Sequence, residues 1–219
     1  AVLPAAIATL GAIAVLTRQH LDNVAELMRA NAFASLISND DDGLPFVSHL
    51  PLVAEQHEDG AIVLLGHCAK PNPHWRYLQA RPQAVVTFLG PHAYMSPAVY
   101  PDLARVPTWN YLAVHCKVEA ALVTEPAAKD VLLKKLIAEH EPAYAQQWND
   151  LGEDFQQKML AGIVGFTLRV TDLQCKLKLN QHRREAHPEM YSRFTAGTPD
   201  EQALAAWMVR LGMNTTEVA

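Results

Sequence analysis

The sequence predicts a mainly β protein, an antiparallel β-barrel of about six strands decorated with peripheral helices. Three observations carry that expectation. Apolar runs of strand length recur between turns rich in Asp and Gly, which is how antiparallel hairpins are written. Two long segments alternate apolar and polar residues with period two. Nowhere do strand and helix patterns alternate as a parallel α/β sheet would require.

The totals bound the reading. With 219 residues, half of them apolar, the chain can bury a sizeable core. Its formal net charge of −5 repels phosphate backbones, so non-specific nucleic-acid binding is not expected. The cysteines, Cys68, Cys116 and Cys175, are odd in number and far apart, which argues against a disulfide framework or zinc site and for a reducing cytoplasm.

The opening AVLPAAIATLGAIAVL is apolar but carries no basic residue, is interrupted by Pro4 and Gly11, and falls short of the ~20 residues of a spanning helix. It reads as a buried strand or helix, with a remnant of a targeting or anchor segment as the alternative; no membrane partner is expected. From Thr17, a plausible N-cap, the spacing of Leu21, Val24, Ala25 and Met28 predicts a short amphipathic helix. Residues 32–38, 44–53, 61–69 and 84–90 then read as strands, separated by NDDDG, an EDG turn and a Pro-rich connection. In 111–123, Val114, Cys116, Val118, Ala120 and Leu122 share one face while His115, Lys117 and Glu119 share the other. Thr124 is expected to cap a helix with Pro126 in its first turn and Val131, Leu132, Leu136 and Ile137 as its buried stripe. A shorter helical stretch around Phe155, Met159 and Leu160 precedes a strand over 163–173, and a last strand, roughly QCKLKL, leads into a basic run ending at Arg184. At the C-terminus Thr198 and Glu201 form a capping box, Pro199 sits at N1, and Leu204, Trp207, Met208 and Leu211 make a stripe ending at Gly212. The expected organisation is a barrel domain over 1–184 with inserted helices and a C-terminal helical extension over 185–219.

Three polar-studded segments fall where strands of a barrel would end: SHLPLV with Ser48 and His49; GHCAKPNPHW with His67, Lys70, Asn72 and Trp75; and GPHAYMSPAVYP followed by VPTWNY. These blocks, with NAFASLIS and IVGFTLRVTDLQCKLKLNQHR, resemble in kind and order the signature blocks of the PaiB-type family of FMN-binding negative transcriptional regulators, over about residues 21–184. The resemblance implies a split β-barrel like that of pyridoxamine-phosphate oxidases, a homodimer, and FMN as cofactor in clefts along the dimer interface. Directed donors for the FMN phosphate would come from Ser48, His49, His67 and Lys70. Walls and polar edges for the isoalloxazine ring would come from Tyr94, Trp109 and Asn110. The resemblance also implies cofactor contacts at Gln181 and Arg183, which fall in the run that matches the family's KWKLSQNR, where this chain reads KLKLNQHR and so lacks the aromatic and the serine.

Plainer readings stand beside these. His49, His67 and His92 lack the close-spaced partner of a dedicated metal site, so no metal is expected. Ser96, Asp102 and a nearby histidine lack a nucleophile elbow. Trp75 after its NPHW corner reads as a packing residue. Lys176 to Arg184 divides among solvated strand end, cofactor or interface contacts, and DNA. The first functional reading is a dimer whose FMN reports cell state to transcription. DNA enters as a partner by resemblance alone, since no helix-turn-helix pattern or basic recognition helix is visible. The alternatives are a small flavin-dependent oxidoreductase, in which the protein would only position the flavin's own chemistry, and a haem-handling split barrel.

Overall fold

The computed structural model describes residues 8–10, 18–102 and 104–214, with side chains from Asn23 onward. Eight strands are β1 (Ala8–Leu10), β2 (Phe33–Asn39), β3 (Pro45–Pro51), β4 (Val53–Gln56), β5 (Ile62–Ala69), β6 (Gln83–Met95), β7 (Thr108–Val123) and β8 (Ile163–Lys178). The helices are α1 (Arg18–Ala30), α2 (His74–Ala80), α3 (Pro126–His140), α4 (Tyr144–Asp150), α5 (Glu153–Ala161), α6 (His187–Thr195) and α7 (Pro199–Arg210). Of the apolar opening only Ala8–Leu10 is described, as strand; Thr17 and the remainder lie outside the described residues. Among the described residues no helix is long and apolar enough to cross a membrane.

The chain divides into two compact units, one of residues 12–88 and 115–174, the other of 1–11, 89–114 and 175–219. The strands run in the order β3-β2-β6-β7-β8-β5-β4, with β6, β7 and β8 each shared between the two units. The β2–β3 hairpin forms because Asp40 Oδ1 accepts from the amides of Asp42 and Leu44 while Gly43 takes φ +80°, a region costly to other residues. Its register sets Ile37 opposite Val47, and Ile37 opposite Val85 on the other side. The inward faces bury Leu36, Leu64, Val86, Phe88, Phe166 and Leu168 completely.

The β4 ladder ends where Val53 pairs with Leu65, while β5 continues through Gly66 to Ala69, and there β5 is met by residues of β3. The approach is closest at Gly66, where a Cβ would stand 2.4 Å from Leu52 Cδ2 and 3.0 Å from the Phe166 ring. Leu52 is 1% exposed and has no room to retreat.

Some elements depart from expectation. The strands expected over 163–173 and at QCKLKL are one strand, β8, because no breaker separates Leu173 from Lys178. Glu125, not Thr124, occupies the N-cap of α3 and makes no side-chain cap bond. The buried face of α3 is Lys129, Leu132 and Leu136, while Val131 is exposed. Lys129 turns its ammonium inward to donate to the Leu160 and Ile163 carbonyls, which shifts the buried stripe by rotating Val131 outward. Sequence patterning did not mark the seven-residue helices α2 and α4, nor α6, although His187, Met190 and Phe194 share its buried face.

In the smaller unit β1 pairs antiparallel with β8, Thr9 opposite Lys176. Helices α6 and α7 pack together and bury Met190, Phe194, Leu204 and Met208. The Thr198 capping box forms as the sequence predicts: Glu201 N donates to Thr198 Oγ1 and Thr198 N to Glu201 Oε2. Gly212 ends the helix at φ +68°.

Replacing Gly66 by Ala forces a methyl group into Leu52 and should cost about 1–3 kcal/mol. The expected outcome is a lower urea midpoint with an unchanged slope, measured by chemical denaturation.

Candidate functional site

Where β3 meets the segment after β5, one hydroxyl gathers three groups. Ser48, buried on β3, accepts from Asn72 Nδ2 at 3.0 Å and lies 2.8 Å from His74 Nδ1. Asn72 Oδ1 in turn accepts from the His74 backbone amide. With Asn72 already donating to it, the hydroxyl has its own proton to give, and a neutral His74 receives it at Nδ1. The ring proton then sits on Nε2, which is buried without an acceptor among the described residues. Burial pushes the His74 pKa down to about 4. Phe46 packs edge-on against the ring at 5.1 Å.

His67 points from β5 with Nδ1 buried and unpartnered, and burial lowers its pKa as well. Lys70 follows at the strand end. Its backbone is fixed on both sides, the amide donating to Gly162 O and the carbonyl accepting from Trp75 Nε1, while its side chain is exposed and forms no ion pair among the described residues. His49 is exposed, 3.1 Å from Ser35 Oγ and beside the Phe33 ring.

The smaller unit holds a cavity of about 310 Å³. Arg105, Lys178 and Arg183 line it with Asn110, Tyr100 and Thr108, and none of the described lining residues is acidic. Lys178 donates to Thr108 Oγ1 and lies 5.8 Å from the centre of the Tyr111 ring. Arg105 is held by Asp102 at 2.7 Å, by Glu185 at 3.5 Å and over the Tyr100 ring, yet its Nε is buried without a partner. Asn180 shapes the wall at φ +62°, tolerable for Asn, with its amide on Tyr100 Oη and its carbonyl accepting from His187 Nε2. Asn110 is fully buried. Its Nδ2 donates to two sulfurs, Met95 Sδ at 3.3 Å and Met190 Sδ at 3.2 Å, and its Oδ1 has no partner.

Ser48, His49, His67 and Lys70 thus fall in the larger unit, with the Ser48 hydroxyl committed to Asn72 and His74. Tyr94, Trp109, Asn110, Gln181 and Arg183 fall in the smaller. Asn110, Gln181 and Arg183 line one cavity. Gln181 spends its amide on its own strand end, donating to Leu177 O and accepting from Leu179 N. Tyr94 and Trp109 stand half-exposed, edge to face at 6.2 Å, with the His92 ring 6.3 Å from Trp109. The sequence does not single out Arg105 or His74, and it offers Lys178 only as one member of the basic run from Lys176 to Arg184. Arg105 lies in an irregular loop, Lys178 looks like any strand cation, and the burial of His74 follows from α2, which has no periodic signature.

The family model described as "Putative FMN-binding domain" matches residues 14–172. The chain belongs to this FMN-binding family. The protease synthase and sporulation protein PAI 2 of Bacillus subtilis (strain 168) is 34% identical over 171 residues, 76% of this chain and 79% of that protein. Among solved structures, the flavocytochrome Anf3 of Azotobacter vinelandii aligns with TM-score 0.56 and 16% identity over 75% of this chain and 72% of its own. The FAD and heme binding protein of Mycobacterium smegmatis aligns with TM-score 0.56 and 16% identity over 74% and 71%. The fold is the antiparallel split barrel. FMN is the cofactor of the family, and within the smaller unit's cavity Arg105 Nε and Asn110 Oδ1, buried without partners, suit a ligand that both accepts and donates hydrogen bonds.

His74 stays neutral in the folded protein down to about pH 4, while in the unfolded chain it takes up its proton near pH 6.5. Between those values the unfolded state binds more protons, so stability present above pH 6.5 is lost as the pH falls toward 4, by up to roughly 3 kcal/mol. Denaturation curves from pH 7 to 4 should show this decline, and His74→Gln should remove most of it, leaving the share of His67.

Proposed function

We infer that this chain acts as a homodimeric, cytoplasmic FMN-binding regulatory protein of the PaiB type. The observation that carries the cofactor reading is the cavity lined by Asn110, Arg105, Lys178 and Arg183, cationic in a chain of net charge −5 and holding two unpartnered polar atoms, Arg105 Nε and Asn110 Oδ1. Lys70 is the proposed phosphate contact: it is exposed, unpaired among the described residues, and carried on backbone fixed at both sides. Bound FMN supplies redox chemistry and visible colour; the residues here bind and orient it.

Two sets of exposed apolar groups support the dimer. In the larger unit Phe33, Ile37, Val47 and Val85 share one face of the sheet, with Phe33 71% exposed. In the smaller unit Tyr94 and Trp109 stand half in solvent. Surfaces of this kind are usually covered by a partner. The regulatory role draws support from the likeness to the sporulation protein PAI 2. The cytoplasm suits three cysteines that are all free and buried.

Freshly purified protein, or protein mixed with FMN, should show a flavin band between about 370 and 450 nm shifted from that of free FMN. Light scattering should give twice the 24.2 kDa chain mass, and a mass near one chain at micromolar concentration sinks the dimer. Lys70→Ala should weaken FMN binding by roughly one to two powers of ten and leave riboflavin nearly unaffected, because only FMN carries the phosphate. Equal loss for both flavins places Lys70 elsewhere. Steady-state NAD(P)H oxidation by the flavin-loaded protein, with no promoter binding at any salt concentration, would replace the regulator by an oxidoreductase.

A further inference from the structure

The cations around the smaller unit's cavity would suit a phosphate as well as a ring edge. Asn110 distinguishes them. Its amide is fully buried and sealed at one end, where Nδ2 donates to Met95 and Met190 at 3.3 and 3.2 Å. Turning the amide over would set Oδ1 against two sulfur lone pairs and abandon both N–H···S contacts, so the oxygen is the atom left for a ligand. Asn110 is one of the residues lining the cavity, and an acceptor buried there without a donor calls for an N–H or O–H. A phosphate dianion has only acceptors, and would set oxygen against oxygen.

Resting on the FMN reading, we propose that Asn110 Oδ1 accepts the imide N–H of the isoalloxazine ring, so that the pyrimidinedione edge of the flavin, not its phosphate, enters the cavity of Asn110, Lys178, Arg105 and Arg183. That edge reads acceptor, donor, acceptor: two carbonyls flanking one N–H. The protein presents the complement, with one buried acceptor and cationic donors around it. Arg105 Nε, buried and unpartnered, is one such donor. Asn110 is therefore a specificity determinant for cyclic imides, apart from whatever holds the phosphate.

Affinities measured by flavin fluorescence quenching test this with FMN, riboflavin and N3-methyl-FMN, in which the donor is blocked. Wild-type protein should bind FMN at least about tenfold tighter than N3-methyl-FMN, as expected when a buried acceptor loses its donor. Asn110→Leu should abolish that preference by losing affinity for FMN alone. Asn110→Asp, which keeps an acceptor, should retain the preference and treat FMN and riboflavin alike. Lys70→Ala should leave the methyl preference intact. With FMN bound, equal affinity of the wild type for both FMN forms overturns the proposal, as does a preference that survives Asn110→Leu. So does an Asp variant that loses FMN but keeps riboflavin, the mark of a phosphate in the cavity. The wild-type comparison needs no variant, so a Leu substitution that fails to fold leaves the test standing. Protein that binds no flavin overturns the FMN reading itself along with this one.

Discussion

One hydroxyl, that of Ser48, ties β3 to the segment that follows β5, and the seam between those strands depends on it. The sheet's ladder runs from β3 at one end to β5 and β4 at the other, so where β5 outruns β4 its edge faces β3 without a ladder between them. Side chains must join what backbone bonds do not. Asn72 and His74 do so from one side, and Leu52 fills the hollow above Gly66 from the other. The histidine is kept neutral by its burial, which makes the seam a pH-dependent joint. The chain around Lys70 leaves this joint in a set direction because its amide is bound to Gly162 and its carbonyl to Trp75.

How much of this the sequence shows follows from which interactions are local. The hairpins were legible because Asp40–Gly43 and Asp59–Gly60 carry their own turn bonds, and the last helix because Thr198 and Glu201 cap each other three residues apart. The alternation survives in the structure over Asn110 to Val118 of β7 and Val164 to Val170 of β8, where every second residue is buried; past Val170 the buried set of β8 shifts by one residue to Leu173, Cys175 and Leu177. What patterning did not reveal depends on distant partners. Lys129 lies on the buried face of α3 only because the Leu160 and Ile163 carbonyls, more than thirty residues on, accept from it. No helical periodicity would place a lysine there.

The candidate site divides along the same line. Asn110 was legible through its setting in a signature block, but its orientation is imposed by Met95 and by Met190, eighty residues away. Arg105 gained significance only as a wall of one cavity, and the same cavity singles Lys178 out of its basic run. In the other direction, Ser48 and Gln181 looked like free donors in sequence, yet the fold spends the hydroxyl on the seam and the amide on the backbone of Leu177 and Leu179. Residue type announces hydrogen-bonding capacity; only tertiary structure shows how much of it is left over for a ligand.

The same accounting bears on the basic run that ends at Arg184. Its alternation of Leu177 and Leu179 with Lys176 and Lys178 is that of a strand with one buried face, and in the structure β8 is indeed paired with β1 through Lys176 and Leu177. Lys178 is turned onto Thr108 and Tyr111, and Arg183 lies 3.9 Å from Glu185. Charges held in this way are directed at a cavity and at neighbouring carboxylates rather than arrayed along a surface. A DNA-binding arm gains its affinity from many simultaneous phosphate contacts and the counterions they release. Lys178 and Arg183, engaged in this way in a net-negative chain, have little of that to offer.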